Sequence, residues 1–372
     1  MKFQIYTSFL FVLLIGSLLA QNDEAFLARG NDKLKIGDYT GAILDYSNAI
    51  QKNPSFAKAY ENRAAAYFSQ KSYDLAESDY NKAIELKPQI AIFYYNRGLL
   101  FSELKDYDKA VKDYTKALYL DPKLDVAYNN RGNAYGELQN IRDAVLDYSE
   151  AIKLNPKFAD AYNNRGNAFI SQKFYDIAVV EYGKAIEIKP DCAAYYKNRG
   201  NAFTSLNNYA MAIKDYSKYL EFNSDDAVIY NNRGNAFYNL NYFDKAIDDY
   251  NKAVYIDPVF FDGFNNRGKA NLNLKKYENA VSDFSQLINL SPKNAEAFKN
   301  RGIAYYYIKQ YEESISDLSI AIEYNQNFAE AYYYRALAES EKKNKTGACK
   351  DLNVAAALKY QKAIDMAKDY CK

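Results

Sequence analysis

The 372-residue sequence predicts an all-α solenoid of ten stacked helix-turn-helix repeats closed by a C-terminal capping helix, on three observations. An aromatic residue recurs every 34 residues without insertion or deletion: Phe26, Tyr60, Tyr94, Tyr128, Tyr162, Tyr196, Tyr230, Phe264, Phe298 and Tyr332. Each copy carries two amphipathic stretches, the pattern of one helical hairpin. All seven prolines (Pro54, Pro88, Pro122, Pro156, Pro190, Pro258 and Pro292) fall at one place in the period. There a residue without an N–H stops the second helix and starts the turn to the next copy. Hydrophobic residues make up 49% of the chain, enough for a continuous core, and only 15 glycines interrupt it.

The elements follow in chain order, beginning with a segment outside the repeat. Lys2 gives a short basic start, and Phe9 to Ala20 is an apolar run. Spanning a bilayer takes about 20 residues, so this run is too short and reads as a secretory signal peptide, residues 1–20, cut near Ala20–Gln21. Leu18, three residues before the cut, is larger than the residue usual there, and an uncleaved anchor is the alternative. Removal of the segment takes away Lys2 and no acid, leaving 47 basic and 47 acidic residues. Nucleic-acid binding draws on a basic excess that displaces counterions, so no nucleic-acid partner is expected. No membrane insertion is expected after the signal is removed.

The chain has no histidine. It therefore lacks the side chain that most often acts as a base near neutral pH and most often binds metal. No repeat departs from the pattern to gather a carboxylate pair or a ligand cluster. The expectation is a protein with no enzymatic activity, no metal and no cofactor.

Within the repeat, the recurring aromatic is taken as position 4. Position 8 is Gly in eight copies and Ala in two; position 20 is Ala in nine, with Ser314 the exception. Small residues at both places let the two helices of a hairpin approach closely, while Tyr, Phe or Leu at position 24 fills the space between them. Position 7 is Arg and position 23 is acidic in all ten copies, from Arg29 and Asp45 to Arg335 and Asp351. Ten matched opposite charges point to structural ion pairs between packed helices rather than to a row of arginines awaiting an anion.

Taken together, these positions resemble the tetratricopeptide repeat over residues 23–362, with residues 363–372 as the end of a capping helix. The resemblance implies antiparallel helix pairs in a right-handed superhelix, with the first helix of each pair lining a concave groove. It also implies that positions 2, 5, 6, 9, 12 and 13 face that groove. Position 6 is Asn in eight consecutive copies: Asn62, Asn96, Asn130, Asn164, Asn198, Asn232, Asn266 and Asn300. Position 9 adds Asn133, Asn167, Asn201 and Asn235. Asn is a mediocre helix former, and its amide offers the donor and acceptor that an extended peptide backbone needs. Copying of an Asn-Asn-Arg-Gly block by duplication is the alternative origin.

Toward the C-terminus, Tyr306, Tyr307, Tyr333 and Tyr334 take groove positions and offer anchors with polar tips. A carboxylate clamp of the kind some family members use is incomplete. Lys197, Asn201 and Asn232 match its first part, but Asp262 and Asn266 stand where basic residues belong. The resulting expectation is a scaffold that binds protein or peptide segments in an Asn-lined groove; a structural part of an envelope or secretion assembly is the alternative. The partner's identity and the oligomeric state are not legible.

Cys349 and Cys371 would sit level on antiparallel helices if the chain turns near Lys359–Tyr360, which allows a disulfide in an oxidising compartment. Two unpaired thiols are the alternative. The Gly347–Asp351 block and the terminal Tyr-Cys-Lys resemble the ends of exported bacterial repeat proteins. Export to the periplasm, the cell envelope or the medium is the expected location.

Overall fold

A computed structural model of the chain describes residues 23–372; the expected signal peptide lies outside them. Among the described residues there are 21 α-helices and no strand. They fall into two compact units, one ending at Lys189 and the other spanning Pro190–Lys372.

The first unit holds five hairpins: α1 (Asp23–Lys35) with α2 (Tyr39–Lys52), α3 (Ala57–Ser69) with α4 (Tyr73–Leu86), α5 (Ala91–Glu103) with α6 (Tyr107–Leu120), α7 (Asp125–Glu137) with α8 (Ile141–Leu154), and α9 (Ala159–Ser171) with α10 (Tyr175–Ile188). The second holds α11 (Ala193–Ser205) with α12 (Tyr209–Phe222), α13 (Ala227–Asn239) with α14 (Phe243–Ile256), α15 (Phe261–Asn273) with α16 (Tyr277–Leu290), α17 (Ala295–Tyr307) with α18 (Tyr311–Tyr324), and α19 (Ala329–Glu341) with α20 (Lys345–Ala357). A last helix, α21 (Gln361–Tyr370), follows. Within each unit every helix packs on its chain neighbours, and successive first helices also touch.

The turn inside each hairpin has a backbone requirement that the period alone does not reveal. Its central residue has positive φ in every repeat: Gly37 in the first, then residues such as Lys71, Gln139, Asn207 and Lys343, with φ near 60°. The next N–H reaches back to close the helix end, as Asn140 N–H does to Tyr135 O at 2.8 Å. This is the usual left-handed helix stop. Asn tolerates this conformation because its short polar side chain can bond locally. On the other side, the second helix ends two residues before the proline position, as at Lys52 before Asn53 and Pro54.

The core runs between the helices of each hairpin. Position 20 is wholly buried, as Ala110, Ala144 and Ala246 show. At Ser314, the one exception to alanine there, the hydroxyl donates to Gly302 O at 2.8 Å, so the buried polar atom is satisfied. Position 24 presses its ring on position 8: a Cβ at Gly132 would lie 2.7 Å from Tyr148 Cε1, and one at Gly166 2.7 Å from Tyr182 Cε1. Ala64 and Tyr80 share one buried cluster, so one extra carbon is accommodated at this place. A branched side chain leaves no such room. Gly166→Val is therefore expected to cost about 1–3 kcal/mol by overpacking, read as a fall in the urea midpoint; an unchanged midpoint would refute the contact.

At the C-terminus, Leu352, Ala363, Met366 and Tyr370 form the contact between α20 and α21. Cys349 and Cys371 are joined there, with their Cα atoms 5.6 Å apart.

Candidate functional site

Every Arg at position 7 pairs with the acid at position 23 of its own hairpin. Arg131 is representative, donating through Nε and Nη2 to the two oxygens of Asp147, each at 2.7 Å. Nη1 reaches the previous repeat, at Thr115 Oγ1 for Arg131 and at Ser47 Oγ for Arg63. Rings flank the same guanidinium, Tyr128 at 5.6 Å and Tyr135 at 5.8 Å from its carbon. Eight of the ten arginines make such a third bond and so tie their own hairpin to the repeat before it. Burial pushes the carboxyls of Asp147, Asp249 and Asp283 upward, against the pull of their arginines. Asp45 is held low instead, by hydrogen bonds from Arg29 and Lys33. The arginine row is part of the frame.

The asparagines divide into two sets by what they touch. At position 9 the carbonyl oxygen takes the hydroxyl of the position-24 tyrosine: Tyr148 donates to Asn133 at 2.9 Å and Tyr182 to Asn167 at 2.7 Å. In the second unit Tyr216 and Tyr250 each donate at 2.8 Å, to Asn201 and Asn235. Position 6 instead donates to the preceding repeat. Asn164 reaches Asn129 and Asn133, Asn96 reaches Glu61, Asn130 reaches Tyr95, and Asn266 reaches Asn231. Asn62 donates to Asn31. Asn198 and Asn232 lie half-buried on α11 and α13.

Three residues expected at the groove are largely covered. Asn62, Asn300 and Tyr334 are buried, because successive first helices pack closely enough to cover them. Asn300 Nδ2 is buried without a partner. Asn133, Asn167 and Asn201 are the expected groove amides that remain exposed.

The link between positions 9 and 24 was legible in the sequence as covariation between copies. Copies with Asn at position 9 (Asn31, Asn133, Asn167, Asn201 and Asn235) all have Tyr at position 24. Where position 24 is Phe284, Leu318 or Leu352, position 9 is Lys269, Ile303 or Leu337. Without a hydroxyl to hold, the amide is gone, and two further repeats, Tyr80 with Ala65 and Tyr114 with Leu99, keep the hydroxyl without it.

Two clefts accompany these surfaces, one in each unit. In the first unit, a cleft of about 510 Å³ is lined by Asn133, Glu137, Gln139, Tyr148, Asn164 and Asn167, among others. In the second, a cleft of about 430 Å³ is lined by Tyr238, Lys269, Lys275, Tyr277, Tyr307, Glu330 and Tyr334. Tyr277 and Tyr307 stack face to face at 4.6 Å, and the Tyr307 and Tyr334 hydroxyls are 2.9 Å apart. Tyr306 packs edge-on against Tyr334, and Tyr333 against Tyr360. Tyr307 is the exposed member of the four tyrosines expected at this end. Among the described residues no group of three or more Cys, Asp or Glu side chains is arranged to hold a metal ion, and no helix is long and apolar enough to cross a membrane.

Comparison with known structures shows the same fold at low identity. PilW, described as a widely conserved type IV pilus biogenesis factor, matches with 19% identity and a TM-score of 0.50, over 54% of this chain and 92% of that one. A tetratricopeptide repeat protein from Parabacteroides merdae matches with 17% identity and a TM-score of 0.47, over 67% and 99%. A chain of the APC/C hetero-tetramer Cut9–Hcn1 matches with 14% identity and a TM-score of 0.45, over 96% and 98%. Sequence models described as tetratricopeptide or TPR repeat match residues 27–89, 91–124, 132–173, 166–205, 200–241, 227–260, 261–294 and 299–366. Those segments run almost without a gap through the ten hairpins, and the chain belongs to the tetratricopeptide-repeat family.

Proposed function

We propose that the protein is a non-catalytic interaction scaffold that holds an extended polypeptide segment against the amides of α7 and α9. The observation that carries this reading is the pre-set orientation of an exposed amide. The Asn133 carbonyl accepts from both the Tyr148 hydroxyl and Asn164 Nδ2, which turns its own N–H2 group away from the frame. A donor fixed in this way binds a backbone carbonyl without first losing rotamer freedom, which is what pre-organisation contributes to affinity. Backbone recognition demands no particular side chain, so the segment is defined by being extended rather than by its sequence. The exposed Tyr307, beside Lys269, gives the second unit a separate place to anchor a ring or an acidic group.

Export is part of the proposal. The apolar run before Ala20 supports a cleaved signal, and the Cys349–Cys371 bond suits an oxidising compartment such as the bacterial periplasm.

The test uses a carboxylate as an isostere of the amide. Asn133→Asp keeps an oxygen for the Tyr148 hydroxyl but removes the outward N–H2 donor. We expect an unchanged thermal midpoint and at least a tenfold loss in capture of unstructured peptides from a display library. Undiminished capture by a normally folded Asn133→Asp variant would rule out the amide surface as the binding site.

A further inference from the structure

Repeat eight departs from its siblings at one buried place. Seven of the eight interior repeats carry an aromatic residue at position 11, such as Tyr135 or Tyr305; repeat eight carries Asn271. In repeat nine the Arg301 guanidinium carbon has Phe298 at 5.6 Å and Tyr305 at 5.7 Å. Arg267 has Phe264 at 5.4 Å and no second ring from its own repeat. Beside the guanidinium, a cleft of about 240 Å³ opens, lined by Ile247, Asn251, Arg267, Asn271, Asn279, Ser282 and Asp283.

The ion pair has adjusted to the change. Arg267 Nε and Nη2 both converge on Asp283 Oδ1, at 2.9 and 2.6 Å, and Asp283 Oδ2 takes Asn271 Nδ2 at 2.9 Å. Asn271 is only 3% exposed, and its Oδ1 is buried without a donor. A side chain that met only the needs of packing would have both ends of its amide satisfied, since nearly all buried polar groups are.

We propose that this cleft is a binding site for an aromatic side chain of a partner polypeptide. The incoming ring takes the place beside the Arg267 guanidinium that Tyr305 takes beside Arg301 in repeat nine. Cation and ring attract through the ring quadrupole, most strongly where water is excluded. Arg267 is already neutralised by Asp283, so the ring needs no charge of its own, and Ile247 supplies an apolar wall. The cleft shares no lining residue with the amide surface of the first unit or with the tyrosine cleft of the second. It can therefore fail or succeed independently of the reading above.

The probe is 4-fluorophenol titrated into the full chain and followed by fluorine NMR line broadening. Saturable binding is expected, weakened at least tenfold in Asn271→Phe, whose own ring fills the cleft, and retained in Asn271→Ala, which leaves the cleft open. A thermal midpoint for Asn271→Phe above that of the unchanged chain is expected, and it reports that the ring is seated. The proposal is overturned by absence of saturable binding, by binding equally strong in a folded Asn271→Phe variant, or by loss of binding in Asn271→Ala.

Discussion

Raising the pH from 9 to 11 is expected to unfold the chain cooperatively, because its core is built on neutral tyrosines. Tyr46 is pushed up to about 12, chiefly by burial. Burial drives Tyr80, Tyr114, Tyr148, Tyr182 and Tyr250 further still. In the unfolded chain the same phenols titrate near their ordinary value of about 10. The sign follows from linkage: above pH 10 the folded state keeps protons that the unfolded state has lost. The stability these rings contribute is complete below about pH 10 and is lost as pH rises toward the folded values. Each fully buried ring then costs on the order of 1 kcal/mol per pH unit, and one occupies position 24 in seven of ten repeats. Absorbance at the tyrosinate band and helical circular dichroism are expected to change together past pH 10, after a gradual phase from exposed tyrosines. Tyr148→Phe with Tyr182→Phe is expected to move the midpoint upward. Smooth ionisation of all tyrosines with the helices intact would refute the mechanism.

The second large effect concerns the ion pairs. Arg131→Met leaves Asp147 buried and unpaired; these side chains are only 16% and 7% exposed. Removing one partner of such a pair costs about 3–5 kcal/mol. Burial already pushes the Asp147 carboxyl upward with its arginine in place, and without it the shift grows. A carboxyl raised in the folded state is best tolerated when protonated, so the variant is expected to recover stability as pH falls from 7 toward 4. Arg131→Met with Asp147→Leu is expected to restore most of the loss at pH 7, since an apolar pair of similar volume is often no worse than the ions. Urea unfolding of the three variants at two pH values checks this. Equal losses in the single and double variants would assign the effect to packing, not to an uncompensated charge.

The helical hairpins were readable in the sequence because each depends on residues that lie within 34 of one another and recur. A proline that cannot continue a helix, a glycine that admits a ring and an alanine at the crossing point act locally, so their meaning survives without coordinates. The pairing of Arg at position 7 with an acid at position 23 was equally legible, since both occur in every copy. The asparagines were harder. Position 9 and position 6 present the same side chain at neighbouring places on one helix, yet one carbonyl holds a tyrosine of its own hairpin while the other amide reaches back to the repeat before. Comparing copies against one another, Tyr at 24 with Asn at 9, would have separated the first set.

The sequence by itself determined the repeat, its helices and the partners that recur at fixed spacing, because those interactions are set by short-range spacing within and between adjacent copies. The tertiary structure alone decided which polar groups remain for a ligand. Exposure of Asn133 and burial of Asn62 and Asn300 depend on how closely one first helix rests on the next, and residue type does not reveal that distance. The same holds for repeat eight, where one Asn in place of a ring reads as a small exception in the sequence and becomes a cleft beside an arginine once the helices are packed.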